Sequence, residues 1–321
     1  MRVFIVHAHH EPQSFSSALC RQAVNTLTEL GHEVRVSDLY AHGFDPVSDR
    51  RNFSSVFDPN YLKQQFEERH ASAVGGFAPE LEAEIQKLEW SDFLVFNFPL
   101  WWFGMPGILK GWVDRAFPMG RVYGNGKFYE TGIGQGRKRA LVMMTVGGVP
   151  AAYDGYGVNP PMRSILAPIE HGVFWFNGFR PLEPFLVWGP ARITHEERVT
   201  YLQQLDERLR TIENETPRSL APLAEFPNFG KDMKRHFLVT CTRRANPDDA
   251  YRSLMPAERT RAAELERAGI LLDLKTSARE ANPWRAFLTM RDTDARSVRG
   301  HLSTLPLAPY LDFEIIELEN S

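Results

Sequence analysis

The chain has 321 residues, of which 43% are hydrophobic and 24% are charged. These ordinary globular values exclude wholesale disorder, and at about 150 residues per domain the length suggests two domains or one large one. The formal net charge of -3 gives no electrostatic basis for binding nucleic acid or an anionic membrane.

The cysteines and the apolar runs favour a cytoplasmic protein. Cys20 and Cys241 lie far apart, which excludes a disulfide scaffold and a CxxC metal or redox motif and fits a reducing compartment. No apolar run reaches the roughly 18 residues that a membrane span needs. The chain opens directly on the strand-like run 3–6 without a basic segment, so we expect no secretory signal.

Strands and helices are predicted to alternate through the first two thirds of the chain. Short apolar runs predict strands at 2–8, 32–40, 93–100, 139–146 and 184–188. Helical spacing of apolar residues predicts helices at 16–30, 80–90, 107–117, 162–176 and 194–213, the last with a capping box of Thr194 and Glu197. This order predicts an α/β domain at 1–215 with a flavodoxin-like, doubly wound parallel sheet of five strands.

The remaining residues are predicted to form a separate α+β domain. A proline-rich break indicates a linker at 216–234, and a domain at 235–321 follows it. Strands at 236–242, 270–275, 284–290 and 311–318, with helices at 247–268 and 293–305, give the order βαββαβ. This order is the ferredoxin-like arrangement. Its sheet leaves one face to cover, and pairing of two copies is the usual solution.

A candidate anion site follows the first strand. Its loop holds three histidines and three serines at the N-terminus of the next helix: His7, His9, His10, Ser14, Ser16 and Ser17. Free N–H groups and the helix dipole attract phosphate there. A serine cap with surface histidines is the simpler alternative, and we expect no metal because no acidic or sulfur partner is placed nearby. The glycines Gly132, Gly134 and Gly136 lack the spacing of a dinucleotide-binding loop and indicate a surface turn.

A candidate site for a flat ligand follows the third and fourth strands. The run 98–112 delivers Trp101, Trp102 and Phe103 to a loop, where three aromatic side chains are hard to bury unless something planar stacks on them. Core packing is the alternative and suits Trp112. Gly147 and Gly148 after the fourth strand allow close approach of a ligand, and their N–H groups can face a developing negative charge. A plain turn is the alternative there.

Together these segments resemble the flavin-dependent NAD(P)H:quinone reductase family, of the DT-diaphorase type. The matching motifs are the loop from His9 to Phe15, the Ser-Asp-Leu-Tyr run at 37–40, the run 98–112, Gly147-Gly148 with Tyr153, and the segment 178–184. The resemblance covers about residues 1–215. It implies a flavodoxin fold, FAD rather than FMN, NADH or NADPH as hydride donor, a homodimer or higher homo-oligomer, and ping-pong two-electron reduction of quinones or similar aromatic acceptors.

The resemblance also implies roles for individual residues. Phosphates would be held by His9, Ser14, Phe15 and Ser16, and the flavin ring would be lined by Pro99, Leu100, Trp101, Trp102 and Phe103. Its pyrimidine edge would meet Thr145, Gly147, Gly148 and Tyr153. Arg198 and Leu202 match positions near the adenine half, which favours FAD, although Arg198 could be a solvated helix residue.

This sequence departs from the family at two positions. The family has a histidine where Asn159 stands, six residues after the tyrosine, and an amide cannot accept the balancing proton. Tyr153 would then act alone or with a water. Of two tyrosines over the pocket, Tyr123 is kept and Asn125 replaces the other, which makes that side more polar. Phe128, Phe174 and Phe176 are candidates for the pocket wall, and each could equally be core.

The end of the chain resembles muconolactone isomerase. The segment 305–314 carries the resemblance together with Pro-Ala-Glu-Arg at 256–259 and the βαββαβ order. That family forms dimeric α+β barrels and moves a proton on a small lactone. Glu258 matches a family carboxylate, with an exposed helix glutamate as the alternative; His236 and Arg285 could face the same cavity or merely flank the strands. We expect a role in dimerisation or substrate shaping; a bifunctional reductase–isomerase and a flavin-binding regulatory subunit with negligible turnover are the alternatives.

Overall fold

Two separate sheets organise the protein, and we describe each by itself. The structure is a computed structural model that describes residues 1–124, 126–226, 235–245, 247–278 and 280–318. The chain divides into two units, Met1–Pro222 and Leu223–Ser321. Asn125 and the part of the predicted linker at 227–234 lie outside the described residues.

The first unit is built on a parallel sheet with the order β2-β1-β3-β4-β5, and β6 also pairs with β4. The strands are β1 Arg2–His7, β2 Glu33–Asp38, β3 Phe93–Pro99, β4 Arg139–Val146, β5 Arg180–Pro181 and β6 Phe185–Trp188. All seven residues of β3 are buried, as its continuous apolar run predicts. The predicted parallel, flavodoxin-like sheet is confirmed: the strand expected at 184–188 is β6, and the two-residue β5, which was not predicted, also pairs with β4.

Helices cover both faces of this sheet. They are α1 Phe15–Glu29, α2 Gln64–Val74, α3 Pro79–Trp90, α4 Gly107–Ala116, α5 Met162–Ile169 and α6 His195–Arg210. Successive side chains of β1 point to opposite faces: Phe4 packs with residues of α3 and α4, whereas Ile5 packs with residues of α1 and α6. Loops follow the carboxyl ends of β1, β3 and β4, beyond the two cores.

The structure differs from the sequence analysis in three places. Helix α2 was not predicted, because Glu67 and Glu68 are buried on its inner side and its sequence shows no apolar period. The helix predicted at 162–176 ends at Ile169 and continues as a π-helical turn, Glu170–Phe174. The surface turn expected at the glycines is wrong for Gly132 and Gly134, which are buried: a Cβ there would lie 2.5 Å and 2.3 Å from the backbone of residues 177 and 178.

The second unit contains an antiparallel sheet of order β10-β7-β9-β8. Its elements are β7 Arg235–Arg243, α7 Asp249–Arg267, β8 Leu271–Thr276, β9 Arg285–Asp292, α8 Ala295–Leu302 and β10 Leu311–Leu318, which is the predicted order. One hydrophobic core includes Val239, Leu265, Leu288 and Val298, from the sheet and both helices. Side chains such as Phe287 and Ile316 remain exposed on the sheet.

Candidate active site

A buried polar network fixes the loop that follows β1. The ring of His7 bonds through Nε2 to Ser17 Oγ at 3.1 Å and through Nδ1 to Asn97 Nδ2 at 2.8 Å. Asn97 Nδ2 also donates to the carbonyl of Ser16 at 2.8 Å, and Ser16 Oγ lies 2.9 Å from Thr145 Oγ1. The ends of β1, β3 and β4 are thereby tied to the first turn of α1.

His7 belongs to this network and not to the ligand-facing loop. Its side chain is buried, and burial is the main reason that the pKa of the imidazole lies below its ordinary value. Asn97, which the sequence analysis missed, lies in the middle of an apolar strand, and an amide at such a position could have been recognised as a polar anchor. Its Oδ1 is buried without a hydrogen-bond partner among the described residues.

The N-terminus of α1 is capped by a side chain and lies on the loop predicted to bind an anion. Ser14 caps the helix, and its Oγ accepts the N–H of Ser17 at 3.1 Å. The N–H groups of Phe15 and Ser16 belong to the first turn, where no intrahelical carbonyl reaches them. His9 lies on the same loop and accepts the N–H of Glu11 through Nδ1 at 2.9 Å. Partial burial lowers the pKa of His9, which favours the neutral ring.

Trp101 joins this loop to the loop after β3. Its ring centroid lies 6.0 Å from that of His9 and 5.6 Å from that of His10, and the two imidazoles stack at 4.9 Å. The N–H of Leu100 donates to the carbonyl of Thr145 at 2.8 Å, so β4 is held beside the same loop. The structure therefore brings the predicted phosphate and ring residues together.

The loop after β3 forms a tight hairpin that displays two aromatic side chains. Trp101 and Gly104 exchange backbone hydrogen bonds of 3.2 Å and 3.0 Å. Between them, Trp102 and Phe103 adopt φ values of +50° and +58°, a region that costs non-glycine residues energy and that is often retained for function. The side chain of Trp102 is 99% exposed. Such an exposed ring offers a planar apolar surface to a ligand.

Tyr153 packs beside the glycine pair after β4. A Cβ on Gly148 would lie 2.8 Å from Tyr153 Cε2, whereas a Cβ on Gly147 would meet nothing within 4 Å. The Tyr153 ring also contacts Phe103 at 6.4 Å and Trp188 at 5.4 Å between centroids. Tyr153 thus links the end of β4 to the aromatic hairpin.

Asn159 lies in the loop that follows Tyr153. Its backbone N–H donates to the carbonyl of Ala152 at 3.0 Å, and the N–H of Met162 donates to the carbonyl of Tyr153 at 3.1 Å. These bonds fold the loop back on itself. The side chain of Tyr156 at its tip is fully exposed.

Three of the residues predicted around the acceptor pocket form one aromatic cluster. The ring of Phe176 lies 5.7 Å from that of Tyr123 and 5.6 Å from that of Phe128. Burial raises the pKa of the Tyr123 hydroxyl. Phe174 is a core residue, which was the alternative to a place in the pocket wall. It is fully buried against Phe96, at 4.9 Å between centroids. Asn125, predicted on this side of the pocket, lies outside the described residues.

The two residues predicted near an adenine group lie on α6. The guanidinium of Arg198 donates to the carbonyl of Pro190 at 2.8 Å, which holds it near the start of the helix. Leu202 packs against the core shared with α1. The predicted capping box is present: Glu197 N donates to Thr194 Oγ1 at 3.2 Å, and Thr194 N donates to Glu197 Oε2 at 2.7 Å.

The first unit therefore brings the capped N-terminus of α1 and the aromatic hairpin after β3 together at one end of a parallel sheet. A family model described as flavodoxin-like fold matches residues 1–209. The chain belongs to this family. Flavodoxin-like relatives include a protein of Penicillium crustosum named ribosyldihydronicotinamide dehydrogenase-like protein traD, which is 38% identical over 229 residues and covers 68% of this chain and 83% of its own.

Two further relatives support the family assignment. The protein of Cavia porcellus named NAD(P)H dehydrogenase [quinone] 1 is 38% identical over 226 residues, 70% of this flavodoxin-like chain and 82% of its own. A crystal structure of a Klebsiella pneumoniae protein assigned as a quinone reductase superposes with a TM-score of 0.65 at 35% identity, over 68% of this chain and 86% of that one.

No described helix has both the length and the apolar character to cross a membrane. Within the same residues, no three side chains of His, Cys, Asp or Glu gather as metal ligands.

In the second unit, Glu258 lies on α7. Its Oε2 accepts the N–H of Leu307 at 2.8 Å, and burial raises the pKa of the carboxyl group. Glu258 lines a cavity of ≈ 750 Å³. Neither His236 nor Arg285 is among the described lining residues, so of the two alternatives for them the structure favours the one in which they flank their strands. Glu258 is half-buried, unlike the exposed glutamate that was the alternative.

Proposed function

We propose that this protein is a flavin-dependent NAD(P)H dehydrogenase that reduces quinones or similar aromatic acceptors. The observation that carries the proposal is the hairpin at Trp101–Gly104, which displays Trp102 and Phe103 in left-handed backbone beside the N-terminus of α1. The names of the relatives agree with this chemistry.

The residues present fit a flavin. The first turn of α1 would hold its phosphates with His9, Ser14, Phe15 and Ser16. The ring would lie against Pro99, Leu100, Trp101, Trp102 and Phe103, and its pyrimidine edge would meet Thr145, Gly147, Gly148 and Tyr153. Because Ser16 Oγ is already bonded to Thr145, its backbone N–H is the group that would face a phosphate. Arg198 and Leu202 would contact an adenine group, which favours FAD over FMN.

When bound, the flavin supplies two-electron transfer, taking a hydride from NADH or NADPH and passing two electrons to the acceptor. The chain's own residues orient and tune it. The N–H groups of Gly147 and Gly148 stabilise negative charge at the pyrimidine edge, and the Tyr153 hydroxyl holds a proton there. Asn159 supplies no acid or base, so Tyr153 acts alone or with a water.

The nicotinamide donor and the acceptor would use the same face of the flavin in turn, so that the oxidised nicotinamide leaves before the acceptor enters. Trp102, Phe103, Tyr123, Asn125, Phe128 and Phe176 would form the acceptor pocket. Both cysteines are buried and unpaired, which suits the reducing cytoplasm where we place the enzyme.

For the second unit we propose a muconolactone isomerase-like, ferredoxin-like domain that serves dimerisation or substrate shaping. The exposed apolar side chains Phe287 and Ile316 would be covered when two copies pair into a homodimer or higher homo-oligomer. The alternative is a bifunctional reductase–isomerase, which the half-buried Glu258 favours. In that case Glu258→Gln would abolish proton transfer on a lactone and spare quinone reduction.

The test is the visible spectrum of the purified protein, followed by chromatography of the released flavin. The sample then receives NADH or NADPH without oxygen, and a benzoquinone afterwards. Bound FAD that bleaches in one two-electron step and recolours with the quinone supports the proposal. Bound FMN would remove the adenine assignment of Arg198. Bound flavin without turnover would favour a regulatory subunit, and a colourless protein that takes up no flavin would overturn the proposal.

A further inference from the structure

The cavity in the second unit is built by regular secondary structure. Tyr251, Met255, Glu258, Ala262 and Leu265 line it from α7 at spacings of three and four residues, which place them on one helix face. Alternate residues of β7 and β9 line it from the sheet. Its volume of ≈ 750 Å³ falls within the range of about 300–1,000 Å³ that is typical of small-molecule sites.

The charged groups of the lining favour an anion. Arg243, Arg252 and Arg259 are the described basic residues that line the cavity, and Glu258 is the described acidic one. Arg252 and Arg259 are exposed, and Arg252 is already paired with Asp249 at 2.9 Å. Glu258 accepts the N–H of Leu307. The half-buried Arg243 is therefore placed best to meet an anionic ligand.

Arg243 lies among aromatic side chains inside this cavity. Its guanidinium carbon is 5.6 Å from the centroid of the Trp284 ring, and the same guanidinium interacts with the hydroxyl of the buried Tyr251. A guanidinium in partly apolar surroundings binds a carboxylate through two parallel hydrogen bonds. The Trp284 ring and the leucines of the lining offer apolar surface to the rest of such a ligand.

We propose that the cavity of the second unit binds an aromatic carboxylate of one or two rings, with its carboxylate on Arg243 and its ring against Trp284. The site is formed by residues of the second unit, and the proposal does not depend on the reductase function. It requires only the fold of the second unit and the charge of Arg243.

The test is isothermal titration of the full-length protein, in its flavin-loaded form, with 2-naphthoate and with uncharged 2-naphthamide. Wild type is expected to bind the carboxylate at least about tenfold more tightly than the amide, since a charge-assisted bidentate pair is lost with the amide. Arg243→Met should abolish this preference, and Arg243→Lys should keep part of it.

The matched control is Arg285→Met, which removes an exposed arginine from β9 that does not line the cavity, and it should keep the full preference. Far-UV circular dichroism establishes that each variant is folded, and Arg243→Gln replaces Arg243→Met where the latter unfolds. Failure of wild type to bind 2-naphthoate would overturn the proposal. So would unchanged binding in a folded variant without the Arg243 charge, because the ligand would then occupy another site.

Discussion

At the scale of single residues, the two neighbouring glycines after β4 differ sharply in the space around them. Because a Cβ on Gly148 would lie 2.8 Å from Tyr153 Cε2, we expect Gly148→Ala to displace the tyrosine ring. Overpacking of this kind costs about 1–3 kcal/mol, so flavin binding should weaken about tenfold. The measurement is the dissociation constant of FAD from the reconstituted apoprotein.

Gly147→Ala is the matched control for that substitution. Its Cβ would meet no protein atom within 4 Å, so Gly147→Ala leaves Tyr153 in place and should weaken flavin binding less than Gly148→Ala does. Both variants keep the backbone N–H groups that we place at the pyrimidine edge. Equal weakening in the two variants would show that the position of Tyr153 does not matter for binding.

His7 predicts a specific dependence of stability on pH. Burial, together with the charges of His9 and Arg21, lowers its pKa in the folded state, while the charge of Asp38 and the backbone of Asn97 act in the opposite direction. Below the unfolded pKa of about 6.5 the unfolded state therefore binds more protons than the folded state. The stability that neutral His7 supports is present above that pH and is lost as the pH falls towards the folded pKa.

We expect His7→Gln to reduce this loss, because glutamine forms hydrogen bonds but does not titrate near neutral pH. The melting temperature is measured from the release of flavin on heating. It is measured at about pH 7.5 and at about pH 5.5, on either side of the unfolded pKa. Between about pH 7.5 and about pH 5.5 the melting temperature of the wild type should fall further than that of the variant. The exposed His195→Gln is the control and should behave as wild type; an identical acid loss in His7→Gln would contradict the assignment.

At the scale of elements, helix α6 depends on its cap. Thr194 and Glu197 satisfy each other's backbone N–H groups, and replacing a threonine cap by alanine typically costs about 1 kcal/mol. For a unit of this size Thr194→Ala should lower the melting temperature by about 2–4 °C. Thermal release of flavin reports on this unit. Thr200→Ala, whose hydroxyl bonds only within the helix, is the control and should stay near wild type.

Elements with a strong local signal could be predicted from the sequence. Continuous apolar runs predicted β1, β3 and β4, and the Thr194–Glu197 spacing predicted the cap of α6. Helix α2 was missed because tertiary contacts override its pattern: buried Glu67 receives the N–H groups of Phe57 and Asp58 from outside the helix. The two-residue β5 is too short to show any period.

The candidate site could be located from the sequence, but its internal geometry could not. Loops after β1, β3 and β4 must meet at one end of a parallel sheet, so the clustering of serines, aromatics and glycines there was predictable. The left-handed turn at Trp102 and Phe103 was not, because residues other than glycine rarely adopt it. The link from His7 through Asn97 to Ser16 joins residues about ninety positions apart, which only the fold brings together.

At the scale of the whole molecule, each unit has its own hydrophobic core, and the first unit extends beyond its last helix. The backbone N–H of Arg218 donates to the carbonyl of Pro181 at 2.8 Å, and its guanidinium pairs with the buried Glu170. Burial raises the pKa of Glu170, while the positive charge of Arg218 opposes that shift. The segment after residue 215, predicted as linker, thus contributes contacts to the first unit up to its boundary at Pro222.

We therefore expect a fragment of residues 1–222 to bind flavin and to reduce a quinone as the full chain does, while a fragment of residues 1–215 is less stable. The shorter fragment leaves Glu170 buried without Arg218, and an unpaired buried polar group costs about 1–3 kcal/mol. Thermal denaturation with saturating flavin measures the difference. Arg218→Met within the longer fragment should reproduce the loss, which separates the ion pair from the other contacts of the segment. Equal stability of the two fragments would show that the segment acts only as a tether, and loss of flavin by residues 1–222 would show that the reductase site needs the second unit.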